Sequence, residues 1–387
     1  MKNSTQDNDS TTGQSEQDWE HLEEIASVAS TALRQRNKGR TVDPGDALSA
    51  IQDELEDKTR QQRQAGDTGT PLYVPSGAID YLALIRKAKE TKMVGTGLPD
   101  LDAVLGGGLE PGRLMVLLGA PGGGKTTLVN QMAVHAADSG RAVLYVSSED
   151  SPFTLLSKTL ARQGKIPYTA VLKGDDDEMP RITEVLRTYQ ESKAARRLCY
   201  LDATMGVPFD KVKRGATDLF EQFKSDGNGI LVIDYLQRLA RAWALQQGSH
   251  QELRGLVSSV TERLRALASE LCCTVLALAA QHRASGYDAN KSALNTGKES
   301  GDIEYTADVL MSIGDDMREE RILPQGLSAK ILRVDKNRQG VAGDTCSIDL
   351  DWYGTYQQFT QVFDERGALD GLFAEASSNG RKKGGRK

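Results

Sequence analysis

Residues 119–126 have the sequence Gly-Ala-Pro-Gly-Gly-Gly-Lys-Thr, between an apolar run at 114–118 and a helix-forming segment at 127–139. The glycines let the backbone curl so that successive N–H groups face the phosphates of a nucleotide. The N-terminus of the following helix also favours negative charge. In such a phosphate-binding loop, or P-loop, Lys125 is expected to reach the β- and γ-phosphates and Thr126 to hold Mg²⁺. The segment predicts an ATP site formed by Gly119, Pro121, Gly122, Gly123, Gly124, Lys125, Thr126 and Thr127.

Short apolar runs recur around the P-loop and alternate with helical patterns. Buried parallel strands are covered on both faces, so they have continuous apolar sequences. Such runs lie at 114–120, 142–148, 197–203, 229–235 and 272–280. Segments at 307–314, 328–338 and 353–359 predict further strands, antiparallel at the edge of the sheet. The chain is therefore predicted to be an α/β protein with a mostly parallel central sheet flanked by helices.

The composition limits how this chain can contact nucleic acid. Its 387 residues include 48 Lys and Arg and 54 Asp and Glu, which gives a formal net charge of −6. Without a global basic field, contact with nucleic acid depends on local Lys and Arg. The first residues lack the apolar core of a secretory signal, and the sequence has no apolar run of about 18 residues. We therefore expect a cytoplasmic protein.

Changes in residue composition and in apolar spacing divide the chain into four parts. Residues 1–74 are polar and are expected to be largely disordered or to form short helices. Residues 75–92 have the spacing of a short amphipathic helix. The ATPase domain is expected at 93–363, followed by a polar tail at 364–387 with a basic end.

Two acidic residues follow predicted strands and are candidates for the chemistry of the site. Asp234 ends the run Ile-Leu-Val-Ile-Asp, at the carboxyl end of a strand, where open α/β sheets bind ligands. We expect it to contribute to the Mg²⁺ site, although an acid there can also cap a helix. Glu149 follows the apolar run at 142–148 and can orient or deprotonate the attacking water. The alternative for Glu149 is a solvated acid in a turn.

Lys336 and Arg338 are two residues apart on a predicted strand, so their side chains should project from the same face. Two cations on a rigid element suit neutralisation of a γ-phosphate, as an arginine finger does. An exposed pair on an edge strand is the alternative.

Several further segments, in order along the chain, resemble one family, the DnaB-type hexameric DNA helicases with a RecA-like motor domain. The segments Gly95–Asp102 and Gly108–Gly112 resemble the sequence before the family's P-loop. Asp234-Tyr235-Leu236-Gln237 is similar to its magnesium-site strand. The runs 298–308 and 336–343 resemble the stretch after its second DNA loop and its finger segment. Together these segments cover about residues 93–360.

This resemblance implies an assembly and a set of partners. It implies a ring, expected to be a hexamer, with single-stranded DNA in the pore. It also implies ATP at each subunit interface, so that Lys336 and Arg338 act on the neighbour's nucleotide. Residues 75–92 become a linker helix that docks on the adjacent subunit, and a primase or a loader protein becomes a possible partner. The pore loops correspond to about 241–252 and 284–298, which places Arg241, Lys291 and Lys298 near DNA phosphates; plain surface loops are the alternative.

The sequence also departs from the family pattern. The family has Ser-Gln followed by an Asn-Arg pair after the strand ending near residue 280, whereas this chain has Ala279-Ala280-Gln281-His282-Arg283. The sensor glutamine that contacts nucleotide is therefore either Gln281 or missing. The family's globular N-terminal domain is not evident in residues 1–74.

Two functions remain open at this point. The first hypothesis is an ATP-dependent, ring-forming DNA helicase of replication. The second is a non-translocating regulatory ATPase, similar to RecA or KaiC, that switches protein or DNA partners.

Overall fold

A computed structural model describes residues 93–223, 229–246, 253–280, 300–318, 323, 326–343 and 346–362. All of these residues belong to one unit, Lys87–Lys387. The predicted polar segment at 1–74, the linker helix at 75–92 and the tail at 364–387 lie outside the described residues and stay predictions.

The described part of the chain forms one mixed sheet with helices between its strands. The strands are β1 (Leu114–Gly119), β2 (Val143–Ser147), β3 (Leu198–Asp202), β4 (Ile230–Asp234), β5 (Thr274–Ala280), β6 (Val309–Asp315), β7 (Leu327–Asn337), β8 (Ser347–Tyr353) and β9 (Gln358–Gln361). The helices are α1 (Pro99–Val104), α2 (Lys125–Asp138), α3 (Pro152–Gly164), α4 (Tyr168–Lys173), α5 (Met179–Glu191), α6 (Lys193–Arg197), α7 (Phe209–Gln222), α8 (Leu236–Gln246), α9 (Leu253–Glu270) and α10 (Ser300–Thr306). The sheet order is β3-β2-β4-β5-β1-β6-β7-β8-β9.

Strands β3 to β6 in this order are parallel, and β7, β8 and β9 continue the sheet antiparallel. The predicted α/β class is therefore confirmed. The expectation that the run at 307–314 forms an antiparallel strand was wrong, because β6 pairs parallel with β1. Helix α10 precedes β6 and returns the chain to the amino end of β1, as the connection between parallel strands requires. The last predicted strand is also divided, since a short 3₁₀ turn at Gly354–Tyr356 separates β8 from β9.

The central strands are buried on both faces, which explains their continuous apolar sequences. In β1, Met115 and Leu117 pack into the core that contains α2 and α3. Val116 and Leu118 pack into the opposite core, which contains α7, α8 and α9. Adjacent residues of a strand point to opposite faces, so both sets can be buried only when helices cover both sides.

The register of the parallel strands places the ends of several strands together. Gly119 at the end of β1 pairs with Ala280 of β5 and with Ile313 of β6. Ser147 of β2 pairs with Asp234 of β4. The carboxyl ends of β1, β2, β4 and β5 therefore lie at one edge, where ligands bind in sheets of this kind.

Candidate nucleotide-binding site

The P-loop joins the end of β1 to the first residue of α2. Gly122 and Gly124 have left-handed backbone angles, with φ of 78° and 91°. A Cβ atom at Gly124 would lie 2.6 Å from Cζ of Phe359. Glycine is therefore required at Gly124 both by conformation and by space. The helix begins at Lys125, so the free N–H groups of its first turn point towards the loop.

Lys125 is held inside the curled loop. Its Nζ atom donates to the carbonyl oxygen of Gly119 at 2.8 Å and to that of Ala120 at 3.0 Å. Burial lowers the pKa of the ammonium group, and the charges of Asp234 and Glu149 oppose that shift. The cation thus lies near both predicted carboxylates, in the position expected for a phosphate ligand.

Asp234 is a buried carboxylate in contact with the first turn of α2. Its side chain is 1% exposed and accepts a hydrogen bond from the Tyr145 hydroxyl at 2.8 Å. Burial raises its pKa to about 6, and hydrogen bonds from Tyr145 and Thr126 oppose the shift. An oxygen pair formed by Thr126 and Asp234 suits Mg²⁺, which needs only one or two protein oxygens when substrate phosphates supply others. The two residues therefore fit the predicted ion, although the described residues include no cluster of three His, Cys, Asp or Glu that could hold a metal.

Glu149 lies in the turn after β2 and is exposed. Its negative charge contributes an upward shift to the pKa of Asp234 and opposes the lowering of the pKa of Lys125 by burial. The adjacent acid, Asp150, is instead bound to Lys158 at 2.5 Å. The structure thus brings Glu149 to the site with its carboxylate accessible to water.

Strand β9 and the residue before it pack against α2, although the sequence predicted only a strand at 353–359 and no part in the site. The Thr127 hydroxyl, predicted to contact nucleotide, donates to Oε1 of Gln357 at 3.1 Å. The amide of Gln131 donates to the Phe359 carbonyl at 2.9 Å and accepts from the Phe359 N–H at 3.0 Å. Because these partners are separated by about 230 positions in the chain, spacing along the sequence gave no signal for them.

Gln237 makes a further contact, which the pattern of charged residues in the sequence does not indicate. Its side-chain nitrogen donates to the Ala280 carbonyl at 3.0 Å, and its oxygen accepts from the Ala280 N–H at 3.2 Å. The residue thereby joins the start of α8, just after Asp234, to the end of β5. Gln281, the predicted sensor, is the next residue after Ala280 and lies outside the described part of the chain.

Lys336 and Arg338 lie at the other end of the sheet. Leu310 of β6 pairs with Lys336, whereas the P-loop end of β6 is marked by the pairing of Ile313 with Gly119. Along β6, Leu310 is three residues from Ile313, which places Lys336 roughly 10 Å from the P-loop end at about 3.3 Å per residue. Arg338 binds the carbonyl of Asp308, two residues farther away, at roughly 17 Å. Both side chains are bound to carbonyls at the end of α10 and not to the loop. The two cations therefore do not reach the P-loop of their own chain.

The placement of Arg338 on a strand was wrong in one respect. Strand β7 ends at Asn337, and Arg338 begins the turn after it. Both cations still contact one feature, the carbonyl groups at the end of α10. Lys336 donates to the carbonyls of Glu304 and Ala307, and Arg338 donates to that of Tyr305 at 2.6 Å. Cations are favoured at a helix C-terminus, which explains why they share this position.

Of the predicted DNA contacts, only Arg241 lies in the described residues. It is exposed on α8, which continues to Gln246, so residues 241–246 are helical rather than part of a loop. The helix continues because Leu239 and Trp243 are buried in the core, with Trp243 Nε1 donating to the Val207 carbonyl at 2.5 Å. Lys291 and Lys298 lie outside the described residues.

Comparison with known proteins decides the family. The model of the family described as "DnaB-like helicase C terminal domain" matches residues 93–361. This chain belongs to that family. The resemblance found from the sequence motifs is thereby confirmed.

DnaB relatives and solved structures agree with this assignment. The replicative DNA helicase DnaB of Haemophilus influenzae is 26% identical over 294 residues, which are 74% of this chain and 59% of that protein. This chain spans 55–62% of the length of the four DnaB relatives compared. The solved structure of a DnaB-like replicative helicase has a TM-score of 0.67 at 17% identity, covering 90% of this chain and 78% of that one. A second solved structure, of an ATPase domain, has a TM-score of 0.62 at 19% identity, covering 77% of this chain and all of that one. At these identities the two structures support the fold, a RecA-like P-loop core.

Within the described ranges of this DnaB-family domain, no helix is both long enough and apolar enough to cross a bilayer.

Proposed function

We propose that this chain hydrolyses ATP between neighbouring copies of itself and uses the reaction to move along single-stranded DNA as a replicative helicase in the cytoplasm. The observation that carries the proposal is the distribution of the site over the sheet. The P-loop, Asp234 and Glu149 are at the carboxyl end of β1, whereas the side chains of Lys336 and Arg338 bind the end of α10, towards the amino end of β1. Each end contains one half of a phosphoryl-transfer site.

The P-loop half binds ATP and prepares the attacking water. The N–H groups of residues 122–126 and the Lys125 ammonium bind the phosphates, and release of the ammonium from the Gly119 and Ala120 carbonyls makes it available. Thr126 and Asp234 would hold Mg²⁺, which would neutralise phosphate charge. Glu149 accepts a hydrogen bond from the attacking water and takes its proton.

The other half completes the site of an adjacent copy. Arg338 is about one strand length from its own P-loop, and the side chains of Lys336 and Arg338 are both bound at the end of α10. We therefore assign both cations to the phosphate of another subunit. A head-to-tail contact of this kind closes into a ring when the rotation between copies closes. The family membership supports a ring of six such copies.

The proposed partners are single-stranded DNA and a primase or loader protein. Arg241, exposed on α8, and Lys291 and Lys298 are proposed to contact DNA phosphates, since a chain with net charge −6 needs local cations for this purpose. One solved relative, the DnaB-like replicative helicase, is described together with its interactions with primase, and we extend that interaction to this chain as a proposal.

The test is the rate of ATP hydrolysis by the purified chain with and without single-stranded DNA, with Lys125→Ala as the blank. We expect DNA to stimulate turnover several-fold and the variant to show neither basal nor stimulated hydrolysis. Strand separation on a forked duplex should require the same lysine. Hydrolysis that is indifferent to DNA would contradict the helicase proposal and favour a regulatory ATPase with a protein partner.

A further inference from the structure

Asp308 is a buried acid that lies outside the P-loop half of the ATP site. It is located between α10 and β6 and is 2% exposed. Its N–H donates to the Leu114 carbonyl at 2.9 Å, and its Oδ2 atom accepts from the Leu114 N–H at 3.1 Å. The carboxylate is therefore fixed to the first residue of β1, a central strand.

Three guanidinium groups surround the other oxygen of this carboxylate. Arg265 Nη2 donates to Oδ1 at 3.1 Å, while Nη1 of Arg113 and Nη1 of Arg338 each lie 3.8 Å from it. Arg113 has a second acidic partner, Glu110, at 3.1 Å. A buried charge is stable only when it is paired, so the cluster accounts for the burial of Asp308.

The cluster retains an excess of positive charge. Burial lowers the pKa of the Lys336 ammonium, and the charges of Arg338 and Arg265 lower it further against Glu304 and Asp308. An anion from outside the chain would relieve this repulsion. A transferred phosphoryl group carries such charge on its oxygens.

Asp308 also holds Arg338 through its backbone. The Arg338 N–H donates to the Asp308 carbonyl at 3.0 Å, and Arg338 Nη2 donates to the Tyr305 carbonyl at 2.6 Å. The Arg338 side chain is nevertheless 38% exposed. A guanidinium has five N–H donors, so one side can be fixed while the other remains available to a ligand.

We propose that Asp308 is a positioning residue that holds the Arg338 guanidinium in the orientation required to reach the neighbouring subunit's γ-phosphate. This inference rests on the proposed function and deepens it. An arginine side chain loses rotamer freedom when it is ordered. Asp308 orders it before ATP arrives, and donors that are ordered in advance contribute most to stabilising a transition state.

The test is a double-mutant cycle on ATP hydrolysis with Asp308→Asn, Arg338→Ala and the double variant, measuring kcat, KM for ATP and thermal melting. Asn keeps the size of the side chain and an acceptor for the Leu114 N–H but removes the charge. We expect Asp308→Asn to lower kcat by about 10- to 100-fold with little change in KM, because misplacing a catalytic group costs roughly this much. The matched control is Glu110→Gln, which removes an acid that pairs with Arg113 of the same cluster; it should keep the kcat of the parent.

The cycle separates positioning from a structural role. If Asp308 acts through Arg338, Asp308→Asn should cause no further loss of kcat in the Arg338→Ala background. Two results would overturn the inference. One is an equal loss of kcat from Asp308→Asn in both backgrounds, and the other is a raised KM for ATP with an unchanged kcat. If Asp308→Asn does not melt cooperatively, Asp308→Glu replaces it, since it keeps the charge and displaces the oxygens by one methylene; the same non-additivity is expected.

The outcomes also distinguish this inference from the proposed function. A low kcat in Arg338→Ala with a parental kcat in Asp308→Asn overturns the role of Asp308 alone. A parental kcat in Arg338→Ala overturns the finger role itself, and the positioning role with it.

Discussion

At the scale of single residues, Lys125 is subject to two opposing effects. Burial in the loop disfavours its charged form, and the carboxylates of Asp234 and Glu149 favour it. Its two hydrogen bonds to P-loop carbonyls keep the ammonium within the loop. A phosphate can take over these bonds without leaving the cation unpaired.

Replacing Lys125 by Ala should therefore remove a phosphate ligand without damaging the core. We expect hydrolysis to fall by more than about 100-fold, as for loss of a group that stabilises the transition state. Nucleotide binding should weaken as well. The control is Lys173→Ala, an exposed lysine on α4, which should retain parental turnover; equal losses in both variants would contradict the role of Lys125.

Two glycines with similar backbone angles allow the effect of backbone strain to be separated from that of a steric clash. Gly124 and Gly112 both have left-handed φ, at 91° and 74°, but only Gly124 faces a neighbour within 4 Å, the Phe359 ring. Both Gly→Ala variants should lower the melting temperature, since the strain is on the order of 1–3 kcal/mol. Only Gly124→Ala should raise KM for ATP, by about tenfold or more because the loop must move. A similar KM in the two variants would show that the Phe359 contact does not shape the loop.

At this scale the sequence predicted the groups that follow strand ends and little else. Lys125, Thr126 and Asp234 could be assigned because each lies beside an apolar run whose end marks the ligand edge of the sheet. Gln357 and Asp308 could not, since the former contacts α2 and the latter contacts β1 across long separations in the chain. Their roles depend on sheet order, which the local pattern of residues does not specify.

At the scale of elements, the hairpin of β8 and β9 supports the P-loop helix. Phe359 is 1% exposed, and its ring centroid lies 4.4 Å from that of Trp352. The Gln131 amide binds the backbone of Phe359 much as a neighbouring strand would. The last strand therefore fixes the first turns of α2.

Truncating Phe359 should affect both stability and the loop. We expect Phe359→Ala to lower the free energy of unfolding by about 3–5 kcal/mol, as for other buried aromatic residues, and to raise KM for ATP. Phe359→Leu keeps most of the apolar volume and should show smaller changes in both quantities. Denaturant titration and ATP kinetics on the same preparations would measure them; a destabilised Phe359→Ala with parental KM would show that the hairpin supports the core alone.

The direction of the later strands shows what the sequence pattern leaves open at this scale. The runs at 307–314 and 328–338 were both recognised as strands, but β6 is parallel to β1 and β7 is antiparallel to β6. The difference arises from the connection before β6, which contains α10. The polar sequence of that short helix lacks the apolar periodicity by which helices are recognised.

At the scale of the whole molecule, the two ends of the sheet contain different groups for phosphate chemistry. The P-loop end contains Lys125, Asp234 and the exposed Glu149, whereas the other end contains Lys336, Arg338 and the guanidinium groups around Asp308. In the proposed function, each end supplies one half of the ATP site. Such a division is met by head-to-tail assembly, in which every copy gives one half and receives the other.

The central claim is that ATP is hydrolysed between copies, and mixing two variants that are each defective in hydrolysis tests it most directly. Lys125→Ala subunits keep Arg338, and Arg338→Ala subunits keep the P-loop lysine. When the two are mixed in equal amounts under conditions that allow subunit exchange, about a quarter of the interfaces should combine both intact halves. We predict that the mixture hydrolyses ATP well above the sum of the separate variants, while Arg338→Ala alone still binds nucleotide. A mixture no more active than that sum, with mixed assemblies shown to form, would contradict a site shared between subunits.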